Sequence, residues 1–408
     1  MRMSVFAIIA TVASLVGATL VMSPGAPLAR PRIVGVAPHR AAAAPAPLLP
    51  TIGPVDTEAP YAYIVEAETG RVLLAKNADQ HIPTASLSKM MTAYTVFDLL
   101  KQGKAKLTDE LPVSETAWRT GGSKMFVPLG GHVSIDDLLQ GMIVQSGNDA
   151  CVVLAQGLAG SQPAFVDLMN EDAKKIGLNN SHFADVDGLP DPNHYMTARD
   201  MATLALHLIH DFPQYYHYFS EQEFTFNNIR QGNRNPLLYK DIGADGLKTG
   251  HTEESGYSLV ASVHRGDRRV IIVLSGLPTM PSRAEEGERL AGWAFRAYKD
   301  YKLFTPGETV DDVPVWLGRR DTVPLTVAKD VVVTLSPQER QDMKVTVDYR
   351  EPVPAPVAAG AQLGRVVVAA PDNVAVEAPL YAAAAVPRLG PMGRAALVAA
   401  HLIWGNLR

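Results

Sequence analysis

A chain of 408 residues with 37 basic and 42 acidic side chains, net charge −5, is long enough for two or three domains and a sizeable core. The charges are well mixed and no basic cluster occurs, which excludes the electrostatic footprint of a nucleic-acid binder. One cysteine, Cys151, excludes an internal disulfide framework and a zinc site of several thiolates; followed by Val152, Val153 and Leu154, it reads as a small buried hydrophobe.

In chain order, Arg2 precedes an uncharged, mainly apolar run, Val5–Met22. That pattern is a secretory signal over residues 1–30, or an uncleaved N-terminal anchor, since the run is nearly long enough to span a bilayer. Residues 31–58 are rich in Pro and Ala and read as a disordered or extended linker. The folded part is expected from Ala59. Tyr61–Val65 and Arg71–Leu74 alternate like strands around the turn signal Glu68-Thr69-Gly70, giving a hairpin.

Next comes His81–Tyr94, with Ser86 and Lys89 three residues apart just after Pro83. Met90, Met91, Tyr94, Val96 and Phe97 read as the buried face of a helix that begins near Ala85. On such a helix Ser86 and Lys89 share one face. A serine becomes a nucleophile when a neighbouring base takes its proton, and a lysine serves as that base when burial or a nearby cation keeps it neutral. The spacing alone equally fits an ordinary surface helix.

Capping signals at Ser134-Ile-Asp-Asp and Thr197-Ala-Arg-Asp predict helices through Leu138–Ile143 and Met201–Leu208. Further helices are expected over Ala150–Leu158, Gln162–Ile176 and Glu286–Tyr301, and strands over Phe224–Asn228, Tyr257–Val263 and Arg269–Leu274. This order implies an α/β (α+β) domain over residues 59–303, a mainly antiparallel sheet flanked by helices. Short β-branched stretches between Val313 and Val376 predict a small all-β domain over 307–388, read as a spacer or binding module. Over residues 391–408, Arg394, His401 and Arg408 fall seven apart, opposite Leu397, Val398, Leu402 and Trp404. That stripe predicts an amphipathic helix lying on a membrane surface, the alternative being a helix docked on the β domain.

Two more short motifs bear on Ser86 and Lys89. Ser146-Gly147-Asn148 sits at a helix start, and Lys248-Thr249-Gly250 precedes the strand at Tyr257–Val263. The set S-x-x-K, S-x-N, K-T-G, in this order, resembles that of the penicillin-binding proteins and serine β-lactamases. In chemical terms Ser86 attacks a carbonyl and Lys89 accepts its proton. Ser146 relays a proton to the leaving amine, and Asn148 holds Lys89 and the substrate amide. Lys248 adds the positive charge that keeps such a base neutral and draws an anionic substrate. Thr249 offers a hydroxyl to a carboxylate, and Gly250 leaves a strand edge open to substrate. The backbone N–H groups of Ser86 and of a residue near His251 would hold the oxyanion, with the His251 ring shaping the rim.

The chain resembles the low-molecular-mass penicillin-binding proteins that act as serine-type D-alanyl-D-alanine carboxypeptidases. The likeness extends over Ala85–Thr92, Gln145–Ala150, Gly188-Leu189, Tyr195–Ala202, Asn233-Arg234-Asn235 and Asp245–Thr252, within roughly Ala59–Tyr301. It implies a β-lactamase/transpeptidase-like fold and removal of terminal D-alanine from peptidoglycan pentapeptides ending in D-Ala-D-Ala, through an acyl-enzyme on Ser86. It implies covalent inhibition by β-lactam antibiotics, no cofactor or metal, and a place at the periplasmic face of the bacterial inner membrane. Arg234 and Arg283 stand at family positions for the substrate carboxylate, although each also fits a structural or surface arginine. Ser88 stands where many relatives have Thr, and Asp187 where His is expected; neither is expected to touch the chemistry. The rival readings are a β-lactamase, a D,D-endopeptidase and a non-catalytic wall-binding protein. A β-lactamase needs an added Glu to activate water, and the one Glu with an Asn four residues on, Glu223 with Asn227, lies in a strand-like stretch.

Overall fold

The computed structural model describes residues 32–33, 55–371 and 374–404. The expected signal or anchor over 1–30, most of the linker over 31–58, and Arg408 of the basic stripe lie outside the described residues. The linker reading needs correction at both ends. Arg32–Ile33 is a strand paired with Lys344–Tyr349. Thr57 is buried, its hydroxyl donating to Glu286 Oε2 at 2.6 Å, so the folded domain begins before Ala59.

Five strands form the central sheet: β1 (Tyr61–Glu66), β2 (Val72–Lys76), β3 (Ala244–Thr252), β4 (Gly256–Arg265) and β5 (Arg268–Leu277). Their order is β3-β4-β5-β1-β2, every neighbouring pair antiparallel. Period-two alternation sends successive side chains to opposite faces. Ala62, Ile64, Leu259, Ala261, Ile272 and Leu274 pack one way with Leu290, Ala291 and Ala294; Tyr63, Val65, Val260, Ile271 and Val273 join the larger core on the other side. Both faces are therefore buried, which is why the strands read as continuous apolar runs.

The larger core holds α1 (Lys89–Lys101), α2 (Ile135–Ile143), α3 (Asn148–Ala159), α4 (Gln162–Lys175) and α5 (Ala198–Asp211). The expected caps are present: Ser134 Oγ accepts from Asp137 N at 3.0 Å and Thr197 Oγ1 from Asp200 N at 3.1 Å. The helix expected over Glu286–Tyr301 is instead α6 (Met280–Ala297). Thr279 and Ser282 form a reciprocal cap around Pro281, which starts the helix early, and Lys299–Phe304 is a strand.

That strand, β6, opens the C-terminal domain with β7 (Asp311–Trp316), β8 (Thr322–Val327), β9 (Val331–Leu335), β10 (Lys344–Tyr349), β11 (Gln362–Ala370) and β12 (Val374–Ala382). Strands β10, β11, β12, β8 and β7 lie side by side in one sheet, while β6 pairs with β9. Val313, Val323, Leu325, Val347, Val366 and Leu380 are among its buried side chains. Polar contacts join the two domains: Arg71 to Glu339 at 2.8 Å, and the Thr69 and Thr334 hydroxyls at 2.6 Å. The tail forms α7 (Pro391–Trp404). His401 packs edge-on against Trp316 at 5.1 Å, while Met392, Leu402 and Ile403 remain 88%, 78% and 70% exposed. Among the described residues, no helix is long and apolar enough to cross a membrane.

Candidate active site

Ser86 is carried by a 3₁₀ turn, Ala85–Ser88, and Lys89 opens the α-helix proper, so the helix does not start at Ala85 as expected. In a 3₁₀ turn residues i and i+3 eclipse, which sets the two side chains one above the other. Lys89 Nζ donates to Ser86 Oγ at 2.9 Å. The turn is strained: Ala85 has φ 45°, a left-handed conformation that an L-residue with a Cβ adopts at a cost. Gly188 (φ 81°) fits against it only because it lacks a Cβ, which would stand 1.9 Å from the Ala85 carbonyl oxygen.

The second motif lies at the start of α3. Ser146 (φ 68°) is buried, and its Oγ has no hydrogen-bond partner among the described residues. Asn148 departs from expectation. Its side-chain nitrogen donates to Gly121 O at 2.9 Å rather than holding Lys89, because the loop at Gly121–Ser123 folds over the head of α3.

The third motif precedes the strand expected at Tyr257–Val263, which is β4, and itself lies inside the edge strand β3. Lys248 is buried, and its only hydrogen bond among the described residues is a long one of 3.4 Å to Thr249 O. Burial, and after it the cations Lys89 and Arg234 and more weakly Arg283, hold this ammonium well below the usual lysine range. Gly250 has a packing reason beside the one expected. A Cβ there would meet Leu87 Cγ and Thr84 O, both at 3.1 Å, so the glycine lets β3 close onto the nucleophile's turn.

One cleft of about 910 Å³ collects Ser86, Ser146, Thr249, Gly250, His251, Arg234 and Arg283. Arg234 Nη1 donates to Ser123 Oγ at 2.7 Å. Arg283 is buried rather than on the surface, with its guanidinium 5.7 Å from the Tyr257 ring centre and a 3.4 Å bond to Arg234 O. His251 stacks on Tyr257 at 3.9 Å, and His251 and Tyr257 are cross-strand partners. Lys89 and Lys248 stand behind the cleft, buried. The cleft thus gathers a hydroxyl bonded to an amine, an unpaired buried hydroxyl and several cations. It suits acyl transfer on a substrate that ends in a carboxylate.

A profile of the D-alanyl-D-alanine carboxypeptidases matches residues 48–279, more than half of the chain. The chain belongs to that family. A second profile, the penicillin-binding protein 5 C-terminal domain, matches residues 298–388. Among curated relatives, the D-alanyl-D-alanine carboxypeptidase DacC of Escherichia coli (strain K12) is 43% identical over 74% of this chain and 78% of its own. DacA of Haemophilus influenzae is 40% identical over 74% and 79%. Penicillin-binding protein 5 of Haemophilus influenzae superposes with a TM-score of 0.74 at 38% identity, covering 83% of this chain and all of that one. Penicillin-binding protein D2 of Listeria monocytogenes in its ampicillin-bound form covers 59% and 98%, at 30% identity and a TM-score of 0.55. The chain is accordingly a D-alanyl-D-alanine carboxypeptidase with a β-lactamase/transpeptidase-like domain and a separate all-β domain.

Several members of the carboxypeptidase's cleft escaped sequence reasoning. Ser123, Phe126, Tyr239, Tyr257 and Met280 line it from loops and element ends that carry no motif. Tyr257 alone left a trace, since it faces His251 once the β3–β4 hairpin is recognised. Asp187 was expected to stand apart from the chemistry, and the structure corrects this. It is buried, and its backbone oxygen accepts a short hydrogen bond from Lys89 Nζ. Elsewhere, Glu223 is exposed and pairs with Arg230 across a hairpin (Glu223–Phe226 with Ile229–Gly232). His207 Nδ1 lies 2.8 Å from Asp211 Oδ2 at the end of α5, and no cluster of three metal-ligating groups occurs among the described residues.

Proposed function

We propose that Ser86 is the nucleophile of this carboxypeptidase and Lys89 its general base, the reading that the 2.9 Å Lys89–Ser86 bond supports most directly. Ser86 Oγ attacks the carbonyl of the penultimate D-alanine and gives its proton to Lys89. The backbone N–H groups of Ser86 and His251 receive the oxyanion. As the C–N bond breaks, Ser146 passes the proton to the amine of the leaving D-alanine. An ester on Ser86 remains, and water attacks it along the same path in reverse, releasing the shortened peptide. Ser146 suits the relay because its buried hydroxyl has no partner to displace among the described residues. Asn148, held by Gly121, is assigned to the substrate amide rather than to Lys89.

The substrate's terminal carboxylate is assigned to Arg234, Thr249 and, from beneath, Arg283, with Lys248 completing the field. A buried ammonium with one long contact is stabilised by the arrival of an anion. The same constellation takes the carboxylate and strained amide of a β-lactam, as the ampicillin-bound Listeria relative suggests. With Glu223 exposed and held by Arg230, the acyl-enzyme formed with an antibiotic should hydrolyse slowly.

The protein is proposed to work outside the cytoplasmic membrane on peptidoglycan, exported by the segment over residues 1–30. Helix α7 is proposed to rest on the periplasmic face of the inner membrane. Its exposed Met392, Leu402 and Ile403 support contact with lipid, while His401, in the expected basic stripe, leans on Trp316 of the β domain. The β domain is then a spacer between lipid and active site. The test is digestion of defined muropeptides by the soluble enzyme and by Ser86→Ala. Release of D-alanine from the pentapeptide by the parent only is expected. Cleavage of cross-linked dimers without D-alanine release would make it an endopeptidase instead.

A further inference from the structure

The loop from Asp185 to Gly188 runs directly behind the catalytic pair and is fastened to the first turn of α1. Thr92 Oγ1 donates to Val186 O at 2.7 Å, and Lys89 Nζ donates to the next carbonyl, that of Asp187. Asp185 ties the loop from within, its Oδ1 accepting from Asp187 N at 2.9 Å and from Gly188 N. Its other oxygen lies 3.0 Å from His194 Nδ1, which anchors the loop to the following segment. Asp187 itself is 4% exposed.

The surroundings of Asp187 are unusual for a carboxyl group. Lys89 lies on α1, Asp185 on its own loop and Cys151 on α3; Lys248 on β3 in turn neighbours Lys89, Arg234 and Arg283. Lys248 thus neighbours the amine that must itself become cationic when it takes a proton. Like charge disfavours a protonated amine and a nearby carboxylate favours it. The Asp187 carboxyl belongs to the residue whose backbone oxygen holds that amine.

We propose that Asp187 is the positioning residue of Lys89, fixing the amine through its backbone oxygen and countering, through its carboxylate, the positive charge that develops there at each proton transfer. This rests on Lys89 being the base. Its role parallels that of the acid in a Ser-His-Asp triad, which orients the base and stabilises its protonated form without taking the proton itself. Burial pushes the Asp187 carboxyl up to about 6, against the pull of Lys89 and with the push of Asp185. The countercharge is therefore present at neutral pH and withdrawn in acid.

That burial is a burden on the fold. A carboxyl raised in the folded state favours folding only while protonated, and the benefit is lost as pH rises from the ordinary aspartate range through about 6. Replacing Asp187 with a neutral isostere should leave stability unchanged or improved at pH 7, so packing does not require the charge.

The test is the pH profile of Ser86 acylation by a fluorescent penicillin, in the parent, Asp187→Asn and Lys89→Ala. Without the carboxylate, the protonated amine is less favoured, so the acid limb in Asp187→Asn is expected about one pH unit lower. The amine is then a weaker base, so the plateau should fall about 3–10-fold. The profiles should converge where Asp187 is itself protonated. An unshifted acid limb with a uniform loss of rate would overturn the proposal, leaving Asp187 structural. Lys89→Ala keeps the two readings apart: acylation surviving in that variant would remove Lys89 as base, whatever Asp187 does. If Asp187→Asn does not fold, carboxyl NMR of Asp187 in the parent and in Lys89→Met decides. Its titration midpoint should rise when Lys89 is lost, and an unmoved midpoint would end the proposal.

Discussion

At the scale of single residues, the site is a problem in charge management. Two buried amines and two arginines converge on one cleft, and the strain is recorded at Lys248. Because the folded chain binds a proton at Lys248 more weakly than the unfolded chain does, this residue makes stability climb with pH up to the ordinary lysine range. Lys248→Met should remove that slope and stabilise the fold at pH 7 by about 1–2 kcal/mol. Acylation should meanwhile fall about 100-fold or more, as the substrate carboxylate loses its field. Urea unfolding at several pH values and penicillin labelling check both halves; a variant that is less stable at pH 7 would contradict the account. Ser86, Lys89, Ser146 and Lys248 were all legible in the sequence, since each belongs to a spaced motif with chemical sense. Asp187 was not, because it belongs to no spaced motif and its contact with Lys89 runs through a backbone oxygen, which no side-chain pattern records.

At the scale of elements, the nucleophile's turn depends on close backbone approach from two sides, by Gly188 and by Gly250. Gly188→Ala combines a left-handed φ with a collision against Ala85 O, and should destabilise the fold by about 2–4 kcal/mol. Because the collision is at the residue before Ser86, labelling should be lost even in the folded fraction; normal labelling would show that the turn can yield. Thr279→Ala should remove the cap of α6 and lower stability by about 1 kcal/mol, with the acylation rate unchanged. The same two places explain where sequence reading fell short. The start of α6 was hidden because its cap, Thr279–Ser282, precedes a first turn in which only Met280 and Pro281 are apolar, so periodicity becomes visible only later. Strand β3 was foreseen only as the strand edge at Gly250, because Asp245, Gly246, Lys248 and Gly250 interrupt any alternation that would mark its extent. Its place is fixed by pairing with β4 rather than by its own propensity. The sheet's other strands and the α2 and α5 caps were legible because burial on both faces, or a cap with its hydroxyl, leaves a local mark.

At the scale of the whole molecule, a catalytic domain and an all-β domain are joined by polar contacts, with an apolar-faced helix at the far end. Removing residues 391–408 should release the protein from anionic vesicles while leaving penicillin labelling unchanged. Retained vesicle binding would place the membrane contact elsewhere. The most direct test of the central claim is intact-protein mass measurement with peptide mapping after brief exposure to penicillin. The account predicts one adduct, on Ser86, that persists for many minutes and is absent from Ser86→Ala and Lys89→Ala. An adduct on another residue, or rapid turnover of the antibiotic with no adduct, would contradict it.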